Sequence, residues 1–196
     1  VNQDIWIVKI DENGTKLWDK RYGGSGNDFP KEAISMPDHG LFLSCSTGVI
    51  DGNVTMSGTG SWIVRLDANG NIIWQNRFPG ACSTASISED NGSIILGGEI
   101  INNDNVDCIV VKMDLNGSIV WEKTYGGTGT DQINELINRY PNGYTLKASS
   151  DSPASGNKSE SGFYQKSNLS FYSESSKIIA HDWLINIDEN GTITPD

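Results

Sequence analysis

The sequence has no apolar run near the roughly 20 residues that a membrane-spanning helix needs, so no membrane span is predicted. Its three cysteines, Cys45, Cys82 and Cys108, form no Cys-x-x-Cys pair and no Cys/His spacing typical of zinc. Its two histidines, His39 and His181, stand alone and indicate no metal or catalytic centre. Basic residues are also few, since 14 Lys and Arg oppose 25 Asp and Glu and leave a net charge of −11. Such a chain repels a phosphate backbone, which argues against a nucleic-acid partner.

One short hairpin motif is repeated four times along the chain. In its first arm alternate positions are apolar in every copy, which predicts a strand. The Asp-x-Asn-Gly sequence that follows is turn chemistry, because Asp bonds its own backbone and Gly accepts a positive φ. In three copies a tryptophan stands four residues after the glycine, with an aromatic residue four further on. The copies are DIWIVKIDENGTKLW at 4–18, SWIVRLDANGNIIW at 61–74, CIVVKMDLNGSIVW at 108–121 and WLINIDENGTIT at 183–194.

A second hairpin lies between copies of the first, at 33–46, 85–98 and 135–150. We name its strands A and B, and those of the first hairpin C and D. The chain then reads C-D followed by three A-B-C-D sets, and four short antiparallel strands per unit are typical of β-propeller blades. We therefore predict one all-β domain over 1–196, an incomplete propeller of about three and a half blades. Its predicted parts are an N-terminal C–D hairpin at 4–22, blades at 28–78, 83–125 and 132–194, and a Ser-rich insertion loop at 151–180.

The connections differ in how much their length varies. The C–D turn is constant, whereas the D–A and B–C connections change length between copies. In an up-and-down meander those two connections emerge on one face of the disc, so variable loops are expected there on a constant scaffold. One predicted loop, INNDNVD at 101–107, is rich in oxygen atoms that suit a hydrated cation or sugar hydroxyls, and it also reads as a plain loop. Its candidate binding residues are Asn102, Asn103, Asp104 and Asp107.

Two D–A connections, GGSGNDFPK at 23–31 and GGTGTDQIN at 126–134, are similar to the calcium-binding nonapeptide GGxGxDxUx. That calcium fold needs tandem copies nine residues apart, which this chain does not have. Asp28 and Asp131 are thus calcium candidates, but the favoured interpretation is structural: the glycines allow tight turns and the aspartates cap nearby N–H groups. No cofactor is predicted.

The pattern WIVK(I/L)D-x-NG, with its tryptophan, aromatic residue and GG(S/T)GxD, resembles the tryptophan-containing propeller repeats of secreted and cell-surface bacterial proteins. That family is often exported by the type IX system. The Gly-to-Trp spacing is also similar to quinoprotein-type propellers. The resemblance covers nearly the whole chain apart from about 151–180, and it implies an extracellular or cell-surface location and a role in adhesion or binding. The second D–A connection departs from it, with PGACSTA in place of GGSGND.

The sequence contains no recognisable catalytic constellation. The predicted function is a non-enzymatic binding, interaction or adhesion module that presents variable loops to a glycan or protein ligand. Two alternatives stay open: part of a propeller enzyme, of glycan-hydrolase or quinoprotein type, with its active site in missing blades, and a structural spacer in a large adhesin. Blade faces rich in Val, Ile and Trp would remain uncovered at the ends of the array. Those faces predict self-association or contact with further blades from a longer chain.

Overall fold

The computed structural model describes residues 2–58, 60–80, 87–90, 92–102, 105–138, 143–152, 155–157 and 181–194. Every regular element in these ranges is a β-strand, which confirms the all-β class. The same ranges hold no helix of the length and apolarity needed to cross a membrane. The strands are β1 (Ile5–Ile10), β2 (Lys16–Tyr22), β3 (Asp28–Ser35), β4 (Leu41–Thr47), β5 (Trp62–Leu66), β6 (Ile72–Arg77), β7 (Ile87–Asp90), β8 (Ser93–Asn102), β9 (Asn105–Asp114), β10 (Ile119–Tyr125), β11 (Asp131–Asn138), β12 (Tyr144–Ser150) and β13 (His181–Ile187).

The strands form antiparallel meanders in chain order. β1 and β2 pair alone, β3 to β6 form the second sheet, β7 to β10 the third and β11 to β13 the fourth. In the fourth sheet the D arm contributes a single bridge between Ile187 and Ile193. The backbone N–H of Thr194 also donates to the carbonyl of Asn186 at 2.8 Å.

Consecutive sheets stack face to face through three apolar clusters. The first joins Ile5 and Tyr22 to residues of the second sheet such as Trp62 and Val64. The second cluster joins the second and third sheets, and the third joins the third and fourth. Burying each such side chain stabilises the fold by about 1.5–3 kcal/mol. Each inner sheet therefore buries one face on its predecessor and the other on its successor, as blades of an incomplete propeller do.

The turn of each C–D hairpin is closed by its aspartate. Oδ1 of Asp11 accepts the N–H groups of Asn13 at 2.9 Å and of Thr15 at 2.8 Å. Asp67, Asp114 and Asp188 repeat both bonds at the same offsets. The glycine between them has a positive φ, which is 80° at Gly14. Because the bonds are local, every copy of the turn has the same shape.

The D-strand tryptophans connect neighbouring sheets. Nε1 of each donates to a carbonyl in the turn of the next hairpin, and the ring covers the turn glycine, so that a Cβ on Gly117 would lie 2.9 Å from the Trp74 ring. The bonds run from Trp18 to Ala68 at 3.0 Å, from Trp74 to Leu115 at 2.8 Å and from Trp121 to Glu189 at 2.9 Å.

The carbonyl of the turn glycine also receives a donor from the preceding sheet. Tyr22 Oη donates to Gly70 at 2.6 Å, and Tyr125 Oη donates to the last turn in the same way. The middle junction has Phe78 in place of tyrosine, and there Asn76 Nδ2 donates to Gly117 at 2.9 Å instead. Every described junction thus satisfies the same carbonyl, although the donor differs.

Candidate functional site

The D–A and B–C connections meet on one face, where the first pair forms what we call the first loop junction, residues 23–28 with 48–53. Asp28 is buried, and its two carboxylate oxygens accept the N–H groups of Gly24 at 2.8 Å and Gly48 at 3.3 Å. The N–H of Asn53 donates to the carbonyl of Gly23 at 3.0 Å. Asp28 therefore holds the loop by capping N–H groups and has both oxygens engaged.

A cleft of about 330 Å³ opens at the first loop junction. Asp4 and Arg21 form an ion pair in it, with Nε 3.1 Å from Oδ2. Asp51 also lines this cleft, and hydrogen bonds from the side chain and N–H of Ser25 lower its pKa. The lining groups are mainly charged side chains and loop backbone, an arrangement suited to a polar ligand.

The second loop junction, residues 126–131 with 151–157, repeats this arrangement. Oδ2 of Asp131 accepts the N–H of Gly127 at 2.8 Å, and the N–H of Asn157 donates to Gly126 at 3.3 Å. Gly156 has a φ of 63°, close to the 57° of Gly52 in the first junction. The shared Gly-Asn dipeptide was an available sequence signal for this equivalence, and sequence reasoning missed it. Within the predicted insertion loop 151–180, residues 151–152 and 155–157 lie at this junction, and 158–180 fall outside the described residues.

Two sets of predicted residues meet beside the second loop junction. A Cβ on Gly126 would collide with Oδ1 of Asp107 and lie 2.8 Å from Oδ2 of Asp131, so both carboxylates border the same glycine. Asn105 Nδ2 donates to Asp107 Oδ1 at 3.1 Å and to the carbonyl of Gly127 at 2.7 Å. We call Asn105, Asp107 and Asp131 the acid pocket.

Two buried oxygen atoms of the acid pocket accept no hydrogen bond from the described residues. Asp131 is 0% exposed, and its Oδ1 has no hydrogen-bond partner among the described residues; the buried Oδ1 of Asn105 has none either. The thiol pKa of the neighbouring Cys108 reflects both burial and the nearby carboxylates. Burial first, and then the nearby carboxylates of Asp131, Glu99 and Asp107, raise the pKa of its thiol to about 12.

The prediction of a loop at 101–107 is wrong. β8 and β9 continue into this stretch as paired strands, in which Asn102 pairs with Asn105 and Ile100 pairs with Asp107. The ladder continues this far because apolar Ile101 and Val106 pair across the two strands. Among the predicted binding residues, Asn102 ends β8 and Asp107 lies within β9, while Asn103 and Asp104 fall outside the described residues.

The first C–D hairpin has a face without a neighbour in the described part of the chain. We call Trp6, Val8 and Ile10 the open face; they are 66%, 39% and 59% exposed. The equivalent residues of the next two hairpins, Trp62, Val64, Leu66, Ile109, Val111 and Met113, are at most 1% exposed. The residue pattern is the same in all three hairpins, so the difference comes from the preceding sheet that the later hairpins pack against.

A second set of apolar residues provides a comparison. Leu17, Ile73 and Val120 hold equivalent positions just before the D-strand tryptophans, and they are 57%, 53% and 58% exposed. This position is exposed in all three hairpins, including those with a preceding sheet. Exposure of Leu17 is therefore a feature of the repeat, whereas exposure of the open face is specific to the first hairpin.

The turn and the edge of the first hairpin are uncovered as well. Gly14 is exposed and a Cβ on it would meet nothing within 4 Å, whereas Gly70, Gly117 and Gly191 are buried. No described residue donates to the carbonyl of Gly14. β1 pairs only with β2, while β5 and β9 each lie between two strands.

The described residues show no catalytic arrangement. They contain no group of three or more His, Cys, Asp or Glu side chains placed to hold a metal ion. His39 lies in the A–B turn of the second sheet with a φ of 63°. Cys45 and Cys108 are both buried.

Comparison with known proteins identifies no family for this chain. No protein-family model matches the chain, so the resemblance to tryptophan-containing, type IX-exported repeats stays a prediction. No curated protein sequence matches it either. Among solved structures, BamB from Moraxella catarrhalis is similar with a TM-score of 0.30 and 10% sequence identity, over 74% of this chain. The chain spans 61% of the length of that structure.

Proposed function

We propose that the chain is a non-enzymatic interaction module whose main contact surface is the open face. One observation carries the proposal: the three side chains of the open face are exposed, whereas their equivalents in the next two hairpins are buried. Contiguous exposed apolar side chains of this kind mark interaction surfaces. The free edge of β1 adds unpaired backbone groups beside them, which attract another strand.

The occupant is another blade of the same repeat type. At each described junction the preceding sheet brings a tryptophan to the turn carbonyl and a second donor to the turn glycine. The first turn offers the same carbonyls, at Glu12 and Gly14, without those donors. A blade that carries Trp and Tyr four residues apart on its last strand supplies both.

The last sheet of a second copy matches this requirement poorly. Four residues after Gly191 the sequence has Pro195, where the other three hairpins have tryptophan. The outer face of the fourth sheet is also mixed, since exposed Ile137 and Leu184 lie on it with exposed Lys147. Head-to-tail contact between copies would therefore lack the indole bond found at the described junctions.

Light scattering after size exclusion, with a hydrophobic dye, tests the proposal. We expect a monomer that binds dye, and much weaker dye binding in the double variant Trp6→Ser/Ile10→Ser. Leu17→Ser is the matched control, because Leu17 is about as exposed as the open face but its equivalents Ile73 and Val120 are exposed as well, and it should change dye binding little. A dimer abolished by the double variant would assign the open face to a second copy and overturn the choice of occupant. A monomer that binds no dye would show that the chain covers its own face.

The loop face is a second candidate surface, favoured by the cleft at Arg21. Its ion pair and loop amides suit the hydroxyl or carboxylate groups of a glycan or a polar peptide. A glycan array and a pull-down should give binding that Arg21→Ala abolishes and that Lys31→Ala, a charge-matched control on β3, leaves intact. If both assays are blank, the loop face is not a ligand site and the spacer interpretation gains. An extracellular or cell-surface location remains part of this proposal, supported by the sequence pattern.

A further inference from the structure

The edge of β1 lacks the neighbour that the corresponding strands of the other sheets have. The C strands β5, β9 and β13 pair with the B strands β4, β8 and β12, always antiparallel. β1 is the C strand of the first sheet, and among the described strands it pairs only with β2. Its other edge therefore presents backbone N–H and C=O groups that can pair with one more strand.

A second uncovered surface lies on β3, the A strand of the second sheet. Pro30 and Ala33 are exposed, whereas the equivalent residues of β11, Ile133 and Leu136, are 0% and 5% exposed. The equivalence follows from the sequence and the strand registers, because each pair stands two and five residues after the aspartate that begins its strand. The face of β3 that points toward the first sheet thus lacks the cover that β11 receives from the third sheet.

The two uncovered surfaces border one space. At the junction of the third and fourth sheets, β8 pairs with β9 along its edge and packs against β11. Ile95 of β8 lies in the same apolar cluster as Ile133 and Leu136. At the first junction no described strand occupies the place of β8. We call the space between the free edge of β1 and residues Pro30 and Ala33 the hairpin site.

The later sheets indicate the register of a strand in the hairpin site. Phe42 pairs with Arg65 in the second sheet, and Ile95 pairs with Lys112 in the third. Both apolar side chains pack toward the following sheet. Arg65 and Lys112 correspond to Lys9, because each stands two residues before the turn aspartate of its hairpin. A strand antiparallel to β1 would therefore place a bulky apolar residue opposite Lys9 and direct it toward β3.

We propose that the hairpin site binds a β-hairpin of another polypeptide, which adds to β1 as strands B and A. The described A–B hairpins, β3–β4, β7–β8 and β11–β12, are each held in their own sheet, so none of them is available to the site. Backbone hydrogen bonds to β1 would provide affinity, and the apolar residue opposite Lys9 would provide selectivity.

The hairpin site is distinct from the open face. Ile5 and Ile7 of β1 pack toward the second sheet, so the alternate residues of the open face point to the other side of the strand. The proposal therefore does not depend on what covers the open face.

Binding of a fluorescent peptide tests the hairpin site. The probe is the segment 85–98 of this chain, ASISEDNGSIILGG, and its binding is followed by anisotropy and by hydrogen exchange. We expect saturable binding that slows amide exchange in residues 5–10. Exchange in 62–66 should not change, because β5 already lies between two strands. The same peptide with methylated backbone nitrogens at 94–97 cannot donate hydrogen bonds there, so it should not bind.

Substitutions at exposed positions separate the hairpin site from other surfaces. Ala33→Glu should weaken peptide binding by about tenfold or more, because it places an unpaired charge under the incoming strand. Ile137→Glu is the matched control, since Ile137 is also exposed on an A strand but lies on the outer face of the fourth sheet, and it should bind the peptide normally. The variant Trp6→Ser/Ile10→Ser should lose dye binding at the open face and keep peptide binding, so the two proposals can fail separately.

Four outcomes would overturn the hairpin site. Three concern the peptide: no saturable binding to the intact chain, equal binding of the methylated peptide, or equal binding by Ala33→Glu. The fourth concerns the free chain. If its residues 5–10 exchanged as slowly as 62–66 without peptide, the chain would already fill the site itself.

Discussion

Replacing Trp74, which lies at a packed junction, and Trp6, which lies on the open face, tests the difference between the two surfaces. Its Nε1 bonds to Leu115 at 2.8 Å, its ring meets Phe42 edge to face at 5.7 Å, and it covers Gly117. Trp74→Ala removes a hydrogen bond of about 1 kcal/mol, an aromatic pair of about 0.5–1.5 kcal/mol and part of the ring burial. Because the ring is only half-buried, we expect a loss of about 2–4 kcal/mol, at or below the range for fully buried aromatic residues.

Trp6→Ala is the control, because it removes a tryptophan from the open face, which no described sheet covers. Trp6 is 66% exposed, and its Nε1 reaches only the exposed Asp19. Its loss should change the free energy of unfolding by no more than about 0.5 kcal/mol. Guanidinium unfolding followed by circular dichroism measures both variants, and Trp74→Phe should fall between them. Equal costs for Trp6→Ala and Trp74→Ala would refute the assignment of covered and open faces.

Other expected outcomes follow from single contacts. Burial raises the pKa of Tyr22 from 10.0 to about 12. The neutral phenol therefore contributes its full stability to the fold below pH 10, and this contribution is lost as the pH rises toward 12. Tyr22→Phe, which also loses the bond to Gly70, should flatten that alkaline decline of the unfolding free energy measured in urea. The hydrogen bond from the buried Arg65 guanidinium lowers the pKa of Asp38 below its ordinary 3.8. This ion pair therefore stabilises the fold above about pH 4, and its contribution is lost as the pH falls through the lowered pKa. Asp38→Asn should make the free energy of unfolding depend less steeply on pH in the acid range. Cys108 is buried with a raised pKa, so iodoacetamide should not modify it in the native protein and should do so after unfolding, as mass mapping would show.

The sequence alone predicts the repeated hairpins well, because their determinants are local. Period-two apolar positions and an Asp-x-Asn-Gly turn are enough to place strands such as β5 and β6, and the tryptophan column marks the junctions. The burial of individual side chains is harder to predict from the sequence. Trp6 and Trp62 are followed by the similar stretches IVKID and IVRLD, and the presence of a preceding sheet decides that one is exposed and the other fully buried.

The acid pocket could not be found from the sequence for a similar reason. Asp107 and Asp131 belong to different predicted features, a loop and a nonapeptide, and only the stacking of the third and fourth sheets brings them to one glycine. The error at 101–107 has the opposite origin. Asn and Asp suggested a loop, but Ile101 pairs with Val106 across the hairpin and the strand ladder overrides the turn preference.

The junctions between sheets have a consequence for how the gene can change. Each junction is complete within two adjacent units, since one supplies the indole and the next supplies the turn carbonyl, and no described bond of this type reaches past a neighbour. Stability in such an array is approximately a sum of unit and nearest-neighbour contributions. Duplication or loss of one whole unit by unequal recombination would therefore join an existing donor to an existing acceptor. Repeat number can drift in this architecture without compensating substitutions, while the connecting loops diversify independently.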